Sequence, residues 1–353
     1  MAQGRISSLD GLRAVSIAFV LMQHSVSSTG SPLGKFTADF GRLGVWVFFV
    51  ISGFLITDLL LREAERGPIS LRRFYLRRAL RLLPALLALL LFLALVEAAG
   101  VDLGVRPIHF LSAVLFLVPY VPWGAANHPW STGHLWSLAV EEHFYLLWPP
   151  LLAGLGVKRA RWFLIAFVML MPACRIAWYK LKLDPLANSL VGIGDLMAYG
   201  ALAAIWHRSR PERVARFVKR RATLGRTLAV VAVGSVLALR TAEWLPIVTV
   251  PLGITVVGLA LSYLLLSVCF EPETTPSVLF RLLNLRMIAW VGGISYSLYL
   301  WQQPFLHKHH DGAPWWQQWP ANLALAVTAA LASHYLVERP FLKLKSRFKK
   351  LET

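Results

Sequence analysis

The chain has 353 residues, of which 57% are hydrophobic and only 15% charged. A soluble domain carries about 25% charged residues, so this composition excludes both an ordinary soluble fold and a disordered chain. The 36 Lys and Arg residues outnumber the 18 Asp and Glu residues and give a net charge of +18. Because the basic residues lie in short blocks between apolar runs, they indicate orientation in a membrane rather than nucleic-acid binding.

Eleven apolar runs follow one another along the chain, and most approach the roughly 20 residues that a spanning helix needs. They lie at Leu12–Val26, Leu43–Leu61, Ala79–Ala98, Ile108–Trp123, Leu135–Leu155, Trp162–Tyr179, Ser189–Trp206, Leu224–Leu239, Ile247–Phe270, Met287–Gln303 and Trp319–Val337. The run Ile108–Trp123 is short and contains Pro119 and Pro122, so we interpret it as re-entrant. The sequence predicts an all-α, polytopic transmembrane helix bundle of about ten spans plus one re-entrant segment.

The basic residues orient this bundle. With one run re-entrant, 28 of the 36 Lys and Arg residues fall on a single side, which is then the cytoplasmic side. Both termini are therefore expected in the cytoplasm. We interpret residues 1–353 as one multi-pass domain of the cell (inner) membrane, with a basic C-terminal tail at 339–353 and no fused extracytoplasmic domain.

The first run contains two polar residues, Arg13 and His24. A charged side chain at membrane depth costs about 2.5–3.5 kcal/mol, so each one is a functional hypothesis by default. Eleven residues make about three helical turns, which puts both side chains on one helix face, about 16 Å apart along the axis. His24 is then either a histidine hydrogen-bonded to a neighbouring helix or a general base.

Arginines cluster at the start of the third run. Arg78 and Arg81 are three residues apart, and Arg77 and Arg81 are four apart, so their guanidinium groups can converge. Such groups bind phosphate oxygens in bidentate pairs, but they also anchor helices to anionic lipid. A phosphorylated ligand is one interpretation for these three arginines. Lipid anchoring is the alternative, and it is preferred for Arg72 and Arg73.

Two adjacent glutamates, Glu141 and Glu142, lie in the run Leu135–Leu155. Neighbouring helix residues point about 100° apart, so only one of the two carboxylates can face a given site. One of them could orient His24 or abstract a proton itself. The structural alternative is a buried ion pair, for example with Arg13.

Other polar and small residues in the apolar runs are interpreted as structural. Arg175 and Asp195 lie near the same outer side of neighbouring runs and are expected to form an ion pair. The segment Phe48–Phe54 contains small residues suited to close helix contact. No metal site is expected. Five tryptophans are interpreted as interfacial or packing residues, namely Trp46, Trp130, Trp136, Trp301 and Trp315.

Six motifs occur in order along the chain. They are Leu9–Ala14, Arg13 with His24, Gly44–Ile56, Phe74–Arg81, Trp136–Tyr145 and Glu338–Pro340. Together they resemble the acyltransferase 3 family of integral membrane O-acyltransferases, over essentially the whole chain. The resemblance implies transfer of an acyl group, usually acetyl from acetyl-CoA, to a hydroxyl of a carbohydrate or glycosylated acceptor. It implies acyl-CoA as a co-substrate and no tightly bound cofactor.

The resemblance also implies roles for individual residues. Arg13 and His24 match positions that are essential in the family, and Arg78 and Arg81 match arginines that help to hold the donor. His24 is therefore predicted to be the general base on the acceptor hydroxyl. Arg13 is predicted to aid donor binding or to stabilise the thioester oxyanion, and Glu141 or Glu142 to tune His24.

The chain departs from the family pattern after Trp301, where Gln302 and Gln303 stand in place of a frequent histidine. A glutamine cannot titrate, so this departure puts more weight on His24. The rival function is a proton-coupled transporter or flippase of an anionic or glycosylated substrate, with the buried polar residues as a proton relay. Transporters often carry broken helices in paired positions, and the sequence has no such pairing.

Overall fold

The computed structural model describes residues 7–121, 129–181, 188–220, 222–269, 276–307 and 312–343. All regular structure in these ranges is helical, which confirms the all-α prediction. The α-helices are α1 Ser7–Ser28, α2 Leu33–Ala64, α3 Leu71–Ala98, α4 Pro107–Val114, α5 Trp130–Gly133, α6 Leu135–Leu181, α7 Leu190–Ile193, α8 Asp195–Ser209, α9 Pro211–Arg220, α10 Ala222–Thr241, α11 Pro246–Cys269, α12 Val278–Leu283, α13 Arg286–Gly293, α14 Ser295–Phe305 and α15 Ala321–Ala332. A π-helix, Ser333–Glu338, follows α15, and single 3-10 turns lie at Val118–Tyr120 and Trp315–Gln317.

Five helical segments in the described ranges are long and apolar enough to cross a membrane. They are Phe36–Ala64, Leu71–Ala98, Trp130–Leu181, Ala222–Thr241 and Thr249–Cys269. The chain is thus a membrane protein with a helical fold, since helices satisfy their own backbone groups in lipid. The count of ten spans and the cytoplasmic position of both termini stay predictions. Residues 344–353 of the predicted basic tail lie outside the described residues.

Several predicted runs correspond to broken or short helices. α6 contains the fifth and sixth runs and kinks at Gly156, whose φ of 69° lies in the left-handed region that glycine adopts without a steric penalty. The run Ser189–Trp206 is divided into α7 and α8, and Met287–Gln303 into α13 and α14. The run Ile108–Trp123 overlaps α4, whose eight residues measure about 12 Å and cannot cross a bilayer.

The described residues form two compact units. Unit 1 consists of the described residues within Met1–Ala18, Arg42–Ile69 and Val140–Gly293. Unit 2 consists of the described residues within Phe19–Gly41, Ser70–Ala139 and Ile294–Thr353. Helices α1, α2 and α6 each contribute residues to both units. The interpretation of residues 1–353 as one domain stays a prediction.

In unit 1, α8 packs against α11 and approaches α2 closely. A Cβ atom on Gly53 of α2 would lie 2.0 Å from the carbonyl oxygen of Met197, and one on Gly200 of α8 would lie 2.0 Å from that of Val50. Only glycine allows the two backbones to come this close. This contact confirms the small-residue surface predicted in Phe48–Phe54.

Gly53→Ala is expected to destabilise the protein, because the new methyl group would collide with a backbone carbonyl that cannot rotate away. Overpacking of this kind costs about 1–3 kcal/mol. The matched control is Gly234→Ala in α10, where a Cβ meets nothing within 4 Å. That change is expected to be neutral or slightly stabilising, since alanine is the better helix former. Thermal unfolding of the detergent-solubilised variants measures the difference, and equal midpoints would contradict the prediction.

In unit 2, α3 packs against α14 and against the π-helix, and α14 packs against α5 and α15. The Tyr296 hydroxyl donates a hydrogen bond to the carbonyl oxygen of Leu82, 2.9 Å away. Glu338 accepts a hydrogen bond from Ser297 and lies 3.3 Å from Nδ1 of His334. These polar contacts fix α14, which forms one wall of the candidate active site.

Candidate active site

His24 lies in the second half of α1, within unit 2. Its ring meets the Trp130 indole edge-on, with centroids 5.6 Å apart and an angle of 85° between the planes. The Gln302 amide lies beside the imidazole, although neither its oxygen nor its nitrogen has a well-formed hydrogen bond with any described residue. Nδ1 of His24 is buried and has no hydrogen-bond partner among the described residues either. Packing thus holds an imidazole with an unoccupied nitrogen, which is what a general base requires.

Trp130 belongs to this site, a role that the sequence analysis did not foresee. Its Nε1 donates a hydrogen bond to the carbonyl oxygen of Leu306, 2.9 Å away, which fixes the orientation of the indole. The ring centroid of His307 lies 5.6 Å from that of Trp130. The indole thus packs edge-on against His24, and its interpretation as an interfacial or packing residue stays a prediction.

His134 is a second histidine of unit 2 that the sequence analysis quoted in a motif but assigned no role. Its backbone N–H donates to Oε1 of Gln303 at 2.9 Å, and its Nε2 lies 3.0 Å from the carbonyl oxygen of Leu300. The residue is 3% exposed. His134, at the turn between α5 and α6, is thus joined to α14 by two polar contacts.

Arg13 lies near the start of α1, in the part of the helix that belongs to unit 1. Its Nη1 is 3.6 Å from Oδ1 of Asp10, one turn earlier. Asp10 is buried in the first helical turn, where a carboxylate is favoured by the helix dipole. α1 is continuous from Ser7 to Ser28, so Arg13 and His24 lie on one uninterrupted helix. The role of Arg13 in donor binding or oxyanion stabilisation stays a prediction.

The predicted donor-binding arginines lie in the first three turns of α3, in unit 2. Arg72 and Arg73 occupy the first turn and are exposed, where the helix dipole disfavours a cation; their anchoring to lipid stays a prediction. Arg77 and Arg78 lie one turn deeper and are half-buried, whereas Arg81 is exposed. What these arginines bind stays a prediction.

Glu141 is held by hydroxyl groups of unit 1. Its Oε1 accepts hydrogen bonds from the Ser52 hydroxyl of α2 and from the Tyr145 hydroxyl, which is 2.7 Å away. Two donors satisfy much of the carboxylate locally, so Glu141 ties α6 to α2. Glu142 is half-buried. The tuning of His24 by one of the two glutamates stays a prediction.

Arg175 of α6 and Asp195 of α8 form a buried ion pair in unit 1. Their exposed fractions are 6% and 0%. The guanidinium also donates from Nε to the carbonyl oxygen of Gly192 at 2.8 Å and from Nη1 to that of Pro251 at 2.9 Å. Arg175 therefore joins α6 to α7, α8 and α11.

Asp58 of α2 is the centre of a second charged cluster in unit 1, which the sequence analysis did not assign. Its two oxygens accept hydrogen bonds from Nε of Arg208 and from Nε of Arg62, each at 2.8 Å. Arg208 also donates from Nη1 to both oxygens of Glu65, at 2.7 and 2.9 Å. The pairing of Asp58 with Arg62 could be read from their spacing of four residues, but Arg208 is 150 residues away.

Groups that could bind an anionic co-substrate are present among the described residues. In the described part of the chain, no three His, Cys, Asp or Glu side chains are arranged to hold a metal ion. The phosphate groups of an acyl-CoA require cations and N–H donors. Arg77, Arg78 and Arg81 of α3 are suited to such a ligand by their charge and planar donor geometry.

Comparison with protein families identifies the family. A family model described as an acyltransferase domain matches residues 6–339, which include all the candidate residues described above. The chain belongs to the acyltransferase 3 family. The resemblance drawn from the six sequence motifs is thereby confirmed.

Relatives of this acyltransferase 3 chain include the "Putative peptidoglycan O-acetyltransferase YrhL" of Bacillus subtilis (strain 168), which is 30% identical over 95% of the chain and 54% of its own length. A "Putative O-acetyltransferase" of Staphylococcus aureus (strain COL) is 27% identical over 96% of the chain and 57% of its own length. The "Peptidoglycan O-acetyltransferase OatA" of Listeria monocytogenes is 26% identical over 96% of the chain and 56% of its own length. The chain thus spans a little over half the length of these relatives. No solved structure matches it.

Proposed function

We propose that the protein is a membrane-embedded O-acyltransferase that moves an acetyl group from acetyl-CoA to a hydroxyl group of a carbohydrate, in the cell membrane. The observation that carries the proposal is the His24 imidazole, whose buried Nδ1 has no partner in the described ranges, in a chain of the acyltransferase 3 family. The names of the relatives support acetyl as the transferred group. They also make peptidoglycan the first acceptor to test.

In this mechanism His24 is the general base. It takes the proton of the acceptor hydroxyl as the oxygen attacks the carbonyl carbon of the thioester, so that a C–O bond forms and the C–S bond then breaks. The proton held by His24 passes to the sulfur of the departing CoA, and no oxidant or reductant is needed. Trp130 keeps the imidazole in a fixed orientation. Proton transfer from the acceptor hydroxyl is faster when the base is held in a productive geometry.

The charge that develops on the thioester oxygen requires a donor. No described residue is assigned to this role; Arg13, about three helical turns from His24 on α1, is instead proposed to aid donor binding, because a guanidinium supplies several N–H groups and keeps its charge at any physiological pH. The phosphates of the donor would lie against the arginines of α3. In this mechanism, the arginines bind the donor and the His24 imidazole transfers the proton.

Arg78→Ala and Arg81→Ala are each expected to raise the KM for acetyl-CoA about tenfold or more with a smaller effect on kcat, since a hydrogen bond to a charged group contributes about 1.5–3 kcal/mol. Arg72→Ala is the matched control on the same helix, and it should leave the donor KM unchanged. Steady-state kinetics at saturating acceptor measure both constants. If all three variants share the wild-type donor KM, the arginines anchor lipid instead.

Purified protein in lipid nanodiscs tests the function itself. It is incubated with radiolabelled acetyl-CoA and soluble peptidoglycan fragments, and the acceptor is then isolated for mass spectrometry. Transfer of label into the acceptor, with release of free CoA thiol, is expected. No transfer, together with saturable uptake of a glycosylated anion into proteoliposomes, would replace the enzyme by a transporter.

A further inference from the structure

Helix α9 carries a cationic face that the proposed function does not use. This face consists of four exposed basic residues, namely Arg213, Arg216, Lys219 and Arg220. Since successive helix residues are about 100° apart, the four side chains fall within one arc of about 120° on the helix surface. Val214 and Val218 are buried on the opposite side, where α9 packs against α8, α10 and α11. The cationic face therefore points away from the protein.

The charges of the cationic face are not balanced by neighbouring carboxylates. None of its four side chains forms an ion pair with a residue that the structure describes, and α9 itself contains a single carboxylate, that of Glu212. The helix dipole favours cations in the last turn, which accounts for Lys219 and Arg220. It does not account for Arg213 and Arg216, which lie nearer the start of the helix. An anionic partner from outside the chain would balance all four charges.

Helix α9 lies at the ends of two helical segments that can cross a membrane. The segment Ala222–Thr241 begins two residues after Arg220. The Phe217 ring lies 5.9 Å from the ring of Tyr263, which is in the second half of the segment Thr249–Cys269. The start of one segment and the later part of the other are thus joined to α9, which is held close to the membrane surface. In the predicted orientation this surface is cytoplasmic.

Two exposed aromatic side chains border the cationic face. Phe217 is 56% exposed and Trp206 of α8 is 37% exposed, and their ring centroids are 5.3 Å apart. On the surface of α9, Phe217 is next to Arg213 and Arg220. Aromatic residues are enriched where a protein meets the lipid headgroups, and a basic face beside an aromatic one is typical of helices that lie in this interface.

We propose that α9 is a docking surface for anionic phospholipids, whose headgroup phosphates bind the cationic face while Phe217 and Trp206 contact the adjoining part of the lipid. Arginine and lysine bind phosphate through charge-assisted hydrogen bonds. Clusters of about four to eight basic residues on an amphipathic helix are typical of anionic-lipid binding. A soluble phosphate compound fits less well, because an exposed helix face cannot surround it. The inference goes beyond the proposed O-acyltransferase function and does not depend on it.

Photo-crosslinking of the full chain in phosphatidylcholine nanodiscs tests the proposal. The nanodiscs contain a small fraction of photoactivatable phosphatidylglycerol or, in a parallel sample, photoactivatable phosphatidylcholine with the same acyl chains. Peptide mass spectrometry then gives the ratio of the two lipids attached to α9. We expect a ratio of about ten or more for wild type. Replacing the cationic face by Arg213→Gln/Arg216→Gln/Lys219→Gln/Arg220→Gln should lower it to about one, since each charge contributes about fivefold.

Two control variants separate charge from folding. Arg213→Lys/Arg216→Lys/Arg220→Lys keeps all four positive charges on the same helix and should keep the wild-type ratio. Glu212→Gln removes the single carboxylate of α9, so it should raise the ratio up to about fivefold. A damaged helix would not bind the anionic lipid more strongly, so this variant tests the proposal even if the fourfold glutamine variant does not fold.

A wild-type ratio near one would overturn the proposal. A lysine variant that loses the ratio together with the glutamine variant would overturn it as well, because charge would not then determine binding. Inorganic pyrophosphate, added at constant ionic strength, tests the soluble source of phosphate. If it abolishes the labelling by phosphatidylglycerol, the cationic face binds a soluble compound and the lipid assignment is wrong. The glutamine variant should keep the wild-type KM for acetyl-CoA, and a raised KM would assign α9 to the donor instead.

Discussion

His24→Ala is expected to lower kcat for acyl transfer about 10²–10⁴-fold, the range by which a positioned general base accelerates proton transfer. The fold should persist, because the ring is held by one edge-on contact with Trp130 and by no hydrogen bond of Nδ1 within the described ranges. The KM for acetyl-CoA should change little, since the base acts on the acceptor. Met22→Ala, an exposed position on the same helix, is the matched control.

Single-turnover transfer of labelled acetyl separates this effect from binding. The variant and the control are compared at saturating donor and acceptor, after size-exclusion chromatography has shown that both are monodisperse. Turnover by His24→Ala at the rate of the control would mean that His24 is a structural histidine. The proton would then have to be taken by another group.

Asp195→Asn is expected to cause the largest loss of stability, about 3–5 kcal/mol, because it leaves the Arg175 guanidinium buried without its counter-charge. Arg175 also holds the carbonyl oxygens of Gly192 and Pro251, so its displacement would disturb three helical segments. The double variant Arg175→Met/Asp195→Leu should be markedly more stable than Asp195→Asn. Removing both charges eliminates the uncompensated one.

Arg62→Ala is the control for this series, since Arg62 is 37% exposed and Asp58 retains Arg208. Exposed ion pairs contribute about 1 kcal/mol or less. Thermal unfolding midpoints in one detergent rank the four proteins. A double variant no more stable than Asp195→Asn would show that the hydrogen bonds of Arg175, rather than its charge, dominate.

The fold class could be predicted from the sequence because hydropathy and basic blocks are local signals. The close approach at Gly53 could be predicted for the same reason, since small residues follow one another in that segment. The breaks within the runs were not predicted. A run such as Ser189–Trp206 has the composition of one helix. Its division into α7 and α8 depends on tertiary contacts with other helices, which composition does not show.

The candidate site could be predicted only in part. His24 is conspicuous because a polar ring in an apolar run is unusual, but its neighbours Trp130 and Gln302 are 106 and 278 positions further along the chain. No periodicity connects such positions. His134 was visible in its motif, yet its contacts with Gln303 and with the Leu300 carbonyl depend on tertiary packing, which no side-chain pattern can show.

The glycine contact and the Asp58–Arg208 pair fasten α2 to α8 at two levels. Two helices that touch at a single point can rotate about that point. Two separate contacts prevent both this rotation and sliding of one helix along the other. The two helices therefore form one rigid pair within unit 1. The stability effects of mutations at the glycine contact and at the Asp58–Arg208 pair are therefore expected to be coupled rather than additive.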